Sequence, residues 1–332
     1  MMDRHEVLVV GGGPAGSSCA WRLKQKGVDV LVLDRSPFPR SKLCAGWITP
    51  QVLSDLQMDV DDYPRRFLTF EKIKVHLAGL SFGLAAAQHS IRRCEFDDWL
   101  LRRSGADVAV HEVQKIVAVG GDYVLDDQYR CRYLVGAGGT SCPVYRSMFR
   151  ESNPRARELQ VATLEQEFAY DYRDGACHLW FIGHGLPGYA WYVPKETGYL
   201  NVGVGGMSVQ LKSRKKDIHG HWDAFTQDLA QAGLVKGYAF KPKGHSYYLR
   251  DRVQKGRIGN AFIVGDAAGL ATRDLCEGIG GAVRSGILAA EAIATGGEFT
   301  LETVSAFSLR SRLLHKALEY LFVTRGRKLA GR

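Results

Sequence analysis

The sequence lacks an apolar run long enough to cross a membrane. No stretch of about 18 consecutive apolar residues occurs in its 332 residues. The N-terminus runs straight into a strand pattern, without the charged and then apolar leader of a secreted protein. The seven cysteines are scattered and form no Cys-x-x-Cys pair, which argues against a disulfide framework and a zinc site. We therefore expect a cytoplasmic protein with no bound metal.

The sequence also lacks the patterns of nucleic-acid-binding domains. Its net charge is +9, but no zinc-finger, RNA-recognition or helix-turn-helix pattern accompanies that charge, so we expect no nucleic-acid partner. A basic surface suits other anionic partners, such as a membrane surface or a phosphorylated substrate. Hydrophobic residues make up 45% of the chain, enough for a sizeable core, and the length favours one large or two interleaved α/β domains.

What the chain does contain is a glycine-rich turn at its start. Gly11-Gly12-Gly13-Pro14-Ala15-Gly16 follows an apolar run at 6–10 and opens a helix predicted over 15–26. In such a turn Gly11 permits the tight bend, Gly13 lets the backbone approach a pyrophosphate, and Gly16 lets the helix pack against the sheet. Asp34 ends the second strand, where an acid binds a ribose diol, and the adjoining Arg35 is a further predicted contact. The motif predicts a dinucleotide site.

A second glycine turn lies near the other end of the chain. Gly265-Asp266-Ala267-Ala268-Gly269 follows a strand predicted at 261–264 and precedes a long helix. An aspartate there is placed to bind a ribityl hydroxyl. The amides of Gly278, Ile279 and Gly280 at the helix start are placed to meet the carbonyl edge of an isoalloxazine ring. Two such turns favour FAD over NAD.

Together these motifs resemble the glutathione-reductase-type flavoproteins. Within that group the chain is most similar to the geranylgeranyl reductase family, including its short bacterial, CbrA-like members. Besides the two turns, the resemblance is carried by four segments: Lys42-Leu-Cys44-Ala-Gly46, Arg93-Cys-Glu-Phe-Asp97, Pro187-Gly-Tyr-Ala-Trp-Tyr-Val-Pro194-Lys195 and Glu277-Gly-Ile-Gly280.

The resemblance implies an α/β, Rossmann-like FAD/NAD(P)-binding fold of the p-hydroxybenzoate-hydroxylase type. The strand patterns between residues 160 and 250 indicate an inserted, antiparallel, β-rich substrate domain. We predict a discontinuous FAD domain over 1–68, 88–155 and 256–332, and a substrate domain over 69–87 and 156–255.

Several site residues follow from the resemblance. It places Arg93 near the cofactor, Val113 where backbone groups clamp the adenine, and the Cys44 thiol beside the flavin. Whether Cys44 is catalytic, lines the pocket or is structural stays open at this point. Strand alternation puts Tyr189 and Trp191 on one face and Tyr192 on the other, and these aromatics are predicted to bind substrate; an ordinary core role is the alternative.

The resemblance implies hydride transfer from reduced flavin to a carbon–carbon double bond of an apolar, isoprenoid-like substrate, with Cys44 or water giving the proton. Two alternatives remain: an FAD-dependent monooxygenase or halogenase-like enzyme acting on a small aromatic, and a flavin-binding redox or interaction protein without turnover. Aromatic hydroxylases carry an acid where this chain has Gly138. This difference argues against direct reduction of the flavin by NADPH in the way that those hydroxylases use it. The electron donor is NADPH or another reductant, such as a donor protein.

The C-terminal segment predicts an amphipathic helix over 301–322 followed by a basic tail. Two interpretations remain open, a helix packed on the body of the protein and an anchor at a membrane surface. Its basic residues are Arg310, Arg312, Lys316, Arg325, Arg327, Lys328 and Arg332.

Overall fold

The computed structural model describes residues 2–196, 198–213, 217–309 and 312–320. These residues form two sheets together with helices. The helices are α1 (Pro14–Gln25), α2 (Pro50–Asp55), α3 (Arg93–Arg103), α4 (Ser208–Lys212), α5 (Ile218–Gln231), α6 (Ile279–Thr295) and α7 (Arg312–Glu319). The strands up to the middle of the chain are β1 (Asp3–Val10), β2 (Val30–Asp34), β3 (Trp47–Ile48), β4 (Leu68–Leu77), β5 (Leu80–Ser90), β6 (Asp107–Val110), β7 (Ile116–Val119), β8 (Asp122–Leu125) and β9 (Tyr129–Gly136). The later strands are β10 (Gln160–Ala169), β11 (Cys177–Phe181), β12 (Gly188–Lys195), β13 (Tyr199–Met207), β14 (Lys243–Tyr248), β15 (Arg257–Ile258) and β16 (Ala261–Ile263).

The first sheet has the order β15-β16-β9-β1-β2-β6, and β8 pairs with β9 and β7 beside it. The pairings of β1 with β2 and β9, of β2 with β6, and of β9 with β16 are parallel. Every residue of β2 is buried, as expected for a parallel strand covered on both faces. In β1, Val7 and Val9 pack with α1 and α6, while Leu8 and Val10 pack with the segment around Phe149.

The second sheet has the order β14-β10-β13-β12-β11-β4-β5-β3. Its neighbouring strands are antiparallel except for β11 and β4, which run parallel. One face holds a core that includes Ile73, Leu179 and Trp191. The other face packs against α5 through Trp222 and Phe225.

The predicted fold class is confirmed: a parallel, Rossmann-like sheet is combined with a second, mostly antiparallel one. The domain boundaries stay a prediction. The second sheet takes in β3, because Trp47 and Ile48 pair with Ser90 and His89 of β5.

The predicted C-terminal helix is wrong at its start. Residues 301–309 form turns and bends, and α7 begins at Arg312. The carboxylate of Asp274 explains this, because it accepts hydrogen bonds from the backbone N–H groups of Ser308 and Leu309. Leu309 and Leu318 are buried in the core of the second sheet, which supports the packed interpretation for this part. The following predicted residues lie outside the described ones: Arg310, Leu321, Phe322, Arg325, Arg327, Lys328 and Arg332.

No helix among the described residues combines the length and the hydropathy needed to cross a bilayer.

Candidate active site

A cavity of about 500 Å³ lies between the two sheets. The first sheet contributes Val10 and Leu33, at the carboxyl ends of two parallel strands, where α/β folds place their ligands. The second sheet contributes Val161 and Trp191. Residues of both sheets therefore line the same cavity.

The first glycine turn shapes one end of the cavity. Gly11 has a φ of 111°, and a Cβ there would stand 2.5 Å from the carbonyl oxygen of Ala137. A Cβ on Gly16 would collide with the carbonyl oxygen of Gly11, so α1 lies directly against the turn. Gly16 itself does not line the cavity, whereas Gly11, Gly13, Pro14 and Ala15 do.

Gly13 leaves an open space at the start of α1. It is the N-cap of the helix and provides no side-chain hydrogen bond, and a Cβ added to it would find no described heavy atom within 4 Å. The first turn of a helix carries N–H groups without intrahelical acceptors and a partial positive charge. An uncapped helix start facing open cavity space fits the diphosphate of a dinucleotide.

Asp34 lies beside this turn at the end of β2 and is 5% exposed. Its carboxylate accepts hydrogen bonds from Gly12 N (2.8 Å), Ser36 N (3.1 Å) and the Arg40 guanidinium (3.0 Å). Asp34, Arg35 and Val113 all line the cavity. This buried carboxylate next to the diphosphate end fits the ribose of an adenosine group.

The second glycine turn brings Asp266 to the cavity, and the start of α6 brings Gly278 and Ile279. Gly265 does not line it; its N–H donates to Ser285 Oγ at 2.9 Å and thereby fixes the turn against α6. Arg155 donates to the carbonyl oxygens of Asp266 and Ala267 from the other side.

A glutamate that the sequence reasoning missed lies at the start of α6. Glu277 accepts a hydrogen bond from Gly280 N at 2.6 Å, so Gly280 contacts this carboxyl group rather than lining the cavity. Burial raises the pKa of Glu277 to about 7. Its place immediately before Gly278 in the glycine segment was the available signal.

Arg93 lines the cavity from the start of α3 and is held by a two-pronged ion pair with Asp97, with both N–O distances at 2.7 Å. A buried guanidinium fixed in this way keeps one orientation. The Arg-x-x-Phe-Asp spacing is thus explained, since Arg93 and Asp97 are one helical turn apart.

The loop that carries Cys44 is fastened to the second sheet. Cys44 lines the cavity and is half-buried. The Lys195 ammonium donates to the carbonyl oxygens of Ala45 and, at 2.9 Å, Gly46. Asn201 Nδ2 donates to the carbonyl oxygen of Cys44 at 3.1 Å.

Tyr189 and Trp191 form an aromatic wall of the cavity. Trp191 Nε1 donates to Asn201 Oδ1 at 2.7 Å, and the Tyr189 hydroxyl donates to the carbonyl oxygen of Leu275. Tyr192 points to the other face of β12, where its hydroxyl donates to the carbonyl oxygen of Asp174. The structure therefore does not bring Tyr192 to the cavity, in keeping with strand alternation.

Comparisons with known proteins agree with this geometry. The family model for FAD dependent oxidoreductases matches residues 6–97. An uncharacterized protein of Methanosarcina barkeri is 30% identical over 308 residues, covering 89% of this chain and 76% of that protein. A menaquinone reductase of Mycobacterium tuberculosis is 28% identical over 323 residues, covering 87% and 76%. A geranylgeranyl diphosphate reductase of Rhodobacter capsulatus is 26% identical over 312 residues, covering 87% and 75%.

Among solved structures, a geranylgeranyl bacteriochlorophyll reductase-like protein from Thermoplasma acidophilum matches with a TM-score of 0.76. The match covers 99% of this chain and 88% of the Thermoplasma acidophilum protein, at 21% identity. At so low an identity the likeness shows the fold alone. The chain belongs to the geranylgeranyl reductase family of FAD-dependent oxidoreductases. The predicted family and enzyme class are confirmed.

This family member carries a polar wall in the cavity that the sequence reasoning did not assign. We define the polar wall as Lys42, Thr163, Glu165 and His245, all of which line the cavity. Lys42 Nζ donates to His245 Nε2 at 2.6 Å, and burial together with the Lys42 charge lowers the pKa of His245 to about 4. Lys42 stood within a recognised motif, and alternation in the predicted strand at 160–168 put Thr163 and Glu165 on the same face as Val161.

Proposed function

We propose that this enzyme reduces carbon–carbon double bonds of an apolar, isoprenoid-like substrate. The observation that carries the proposal is one cavity that extends from the two dinucleotide turns to the aromatic wall of Tyr189 and Trp191. The names of two relatives support it, because menaquinone and geranylgeranyl diphosphate both carry unsaturated prenyl chains. An aromatic wall suits such a chain, since it offers apolar contact and excludes water from the reacting carbons.

In this proposal the first sheet and α6 bind FAD, which when bound supplies hydride chemistry. The start of α1 holds the diphosphate, and Asp34, Arg35 and Val113 hold the adenosine. The proposed residues of the flavin half and its supporting turn are Arg93, Gly265, Asp266, Gly278, Ile279 and Gly280.

Cys44 belongs to the reacting part of the cavity in this proposal. Its loop lines the same cavity as Trp191, and Asn201 ties the two together by bonding both the Cys44 carbonyl and the Trp191 ring. Lys195 holds the rest of the loop in place. Cys44 is thus positioned to contact the substrate beside the aromatic wall.

The electron donor in this proposal is NADPH or a redox protein. Gly138 lines the cavity at the position where aromatic hydroxylases carry an acid. The missing acid argues against direct reduction of the flavin by NADPH in the way that those hydroxylases use it. Contact with a membrane surface stays a prediction, since most of the basic C-terminal residues lie outside the described part of the chain.

Anaerobic flavin reoxidation tests the proposal. The purified protein is loaded with FAD, reduced with dithionite and mixed with geranylgeranyl diphosphate, a menaquinone or 4-hydroxybenzoate without oxygen. We expect the absorbance of oxidised flavin to return with one or both prenyl compounds, together with a product whose prenyl chain has gained two hydrogens. Tandem mass spectrometry locates the two hydrogens, because a menaquinone can also take them up at its quinone ring.

Two outcomes contradict the proposal. Reoxidation that needs oxygen and yields a hydroxylated aromatic would favour the monooxygenase alternative. Tight FAD binding with no reoxidation by either prenyl compound would favour a flavin-binding protein without turnover.

A further inference from the structure

The polar wall presents one carboxyl group to the cavity. Strand β10 turns Val161, Thr163 and Glu165 to the same side, and all three line the cavity. His245 lies opposite Thr163 in the β10–β14 pairing, so the neighbouring strand extends the wall. Glu165 is 2% exposed, so its carboxyl group is shielded from bulk solvent.

Glu165 is connected to the two features that surround the proposed substrate. Asn201 Nδ2 lies 3.4 Å from Glu165 Oε2 and also donates to the Cys44 carbonyl, while Asn201 Oδ1 accepts from Trp191. Among the residues that the structure describes, Asn201 is the one hydrogen-bond partner of this carboxyl group. Oε2 is the acceptor in that contact, which leaves Oε1 to carry a proton towards the cavity.

The surroundings of Glu165 raise the pKa of its carboxyl group, so that it holds its proton to a higher pH than an exposed glutamate does. Burial raises its pKa to about 7, against the opposing effects of the Asn201 hydrogen bond and the positive charges of Lys42 and Lys195. Glu167, two residues along the same strand, raises it further. A general acid works best when its pKa lies near the working pH.

We propose that Glu165 is the catalytic acid that protonates the substrate during double-bond reduction. The proposal rests on the proposed function. One alkene carbon takes a hydride, with its electron pair, from the reduced FAD, which is thereby oxidised. The π pair forms a new C–H bond at the other carbon with the proton of Glu165 Oε1, whose O–H bond breaks to leave a carboxylate. Solvent returns the proton between turnovers.

The first test compares E165Q with the control E71Q. Glu71 is an exposed glutamate of β4 that does not line the cavity. With reduced, FAD-loaded protein and a compound that the wild type reduces in its prenyl chain, we expect formation of the reduced product to be slower by about 100-fold in E165Q. E71Q is expected to match the wild type. The pH dependence of the wild-type rate on a group with a pKa of about 7 is expected to vanish in E165Q.

The outcomes separate this assignment from the function it rests on. Wild-type protein that is not reoxidised by either compound overturns both. Wild-type protein that is reoxidised, with E165Q equally fast, overturns the Glu165 assignment and leaves double-bond reduction standing.

A second readout uses the FAD-free protein and needs no activity. The pKa of Glu165 is about 7 in the folded protein and 4.5, the ordinary value for glutamate, in the unfolded chain. The unfolded chain therefore loses this proton at lower pH than the folded protein does. The unfolding free energy of the wild type, measured against E165Q, should therefore fall as pH rises from 4.5 to about 7 and stay level above that. A difference that does not change over this range would show that Glu165 is ionised in the cavity and would overturn the assignment.

Discussion

Single residues decide how the Cys44 loop is held. Lys195 is 1% exposed, and its ammonium group donates to the carbonyl oxygens of Ala45 and Gly46. Burial lowers the pKa of Lys195 to about 8, which shows how strongly this place disfavours the charge. The charge is kept there by two carbonyl oxygens of the loop, so Lys195 is a positioning residue for Cys44.

Replacing Lys195 by methionine should loosen that loop. The K195M change removes the Lys195 donor from the Ala45 carbonyl oxygen, while the Gly46 carbonyl oxygen keeps the Ile91 N–H, and we expect the unfolding free energy to fall by about 1–3 kcal/mol. Cys44 should then react faster with a thiol reagent, which is measured by mass mapping of the labelled peptide. K72M, at an exposed lysine of β4, is the control and should change neither quantity. Unchanged Cys44 labelling in a folded K195M protein would contradict this role.

At this scale, sequence spacing found residues that stand in contiguous motifs. Asp34 was identified because it ends the second strand, 18 residues after Gly16, and Asp266 because it lies in the second glycine turn directly after a strand. The sequence did not identify the site roles of Asn201, Lys195 and Glu165, because those roles depend on pairing between strands that are far apart in the chain. Asn201 reaches Cys44 only because β13 lies beside β10 and β12, and no local pattern encodes that neighbourhood.

At the level of elements, the junction of β1 with α1 is the feature that sequence predicts best. The apolar strand, the glycine turn and the helix all occur where the motif puts them. The C-terminal helix shows the limit. The sequence predicts one amphipathic helix over 301–322, yet the buried carboxylate of Asp274, more than thirty residues earlier, binds Ser308 and Leu309 and holds 301–309 out of the helix.

The open space at the start of α1 gives a prediction for G13A. Alanine is a poorer N-cap, so we expect the unfolding free energy without FAD to fall by only about 0.5–1 kcal/mol. The added methyl group occupies the space proposed for the diphosphate, so FAD affinity should fall at least about tenfold, a cost of about 1.4 kcal/mol. Fluorescence titration and denaturant unfolding measure the two effects.

The control for G13A is G175A, at an exposed glycine whose added Cβ would meet only Tyr172, at 3.9 Å. It should leave FAD affinity unchanged. If G13A binds FAD as tightly as the wild type, the diphosphate does not sit at the start of α1.

At the scale of the whole molecule, the cavity joins two sheets that have separate cores. The core of the first sheet includes Val9 and Val32, and that of the second includes Ile73 and Leu179. The chain passes between the sheets several times, since β3, β4 and β5 interrupt the first sheet between β2 and β6. Sequence reasoning put residues 69–87 together with 156–255 in a predicted substrate domain, and the strand patterns between residues 160 and 250 suggested the inserted domain. It did not place β3 in the second sheet, because a two-residue strand has too little pattern to detect.

A ligand that contacts both sheets should stabilise both, and this distinguishes FAD from its adenosine half. At a free concentration 100 times its Kd, FAD should raise the unfolding free energy by about 2.7 kcal/mol if it binds only the folded state. Hydrogen exchange should slow at the β1–α1 turn and also at the start of α6 and in the Cys44 loop. ADP at the same multiple of its own Kd should protect the β1–α1 turn and the end of β2, but not the Cys44 loop. Equal protection of that loop by ADP would mean that the loop responds to the adenosine end alone, and would contradict the placing of the flavin ring between the sheets.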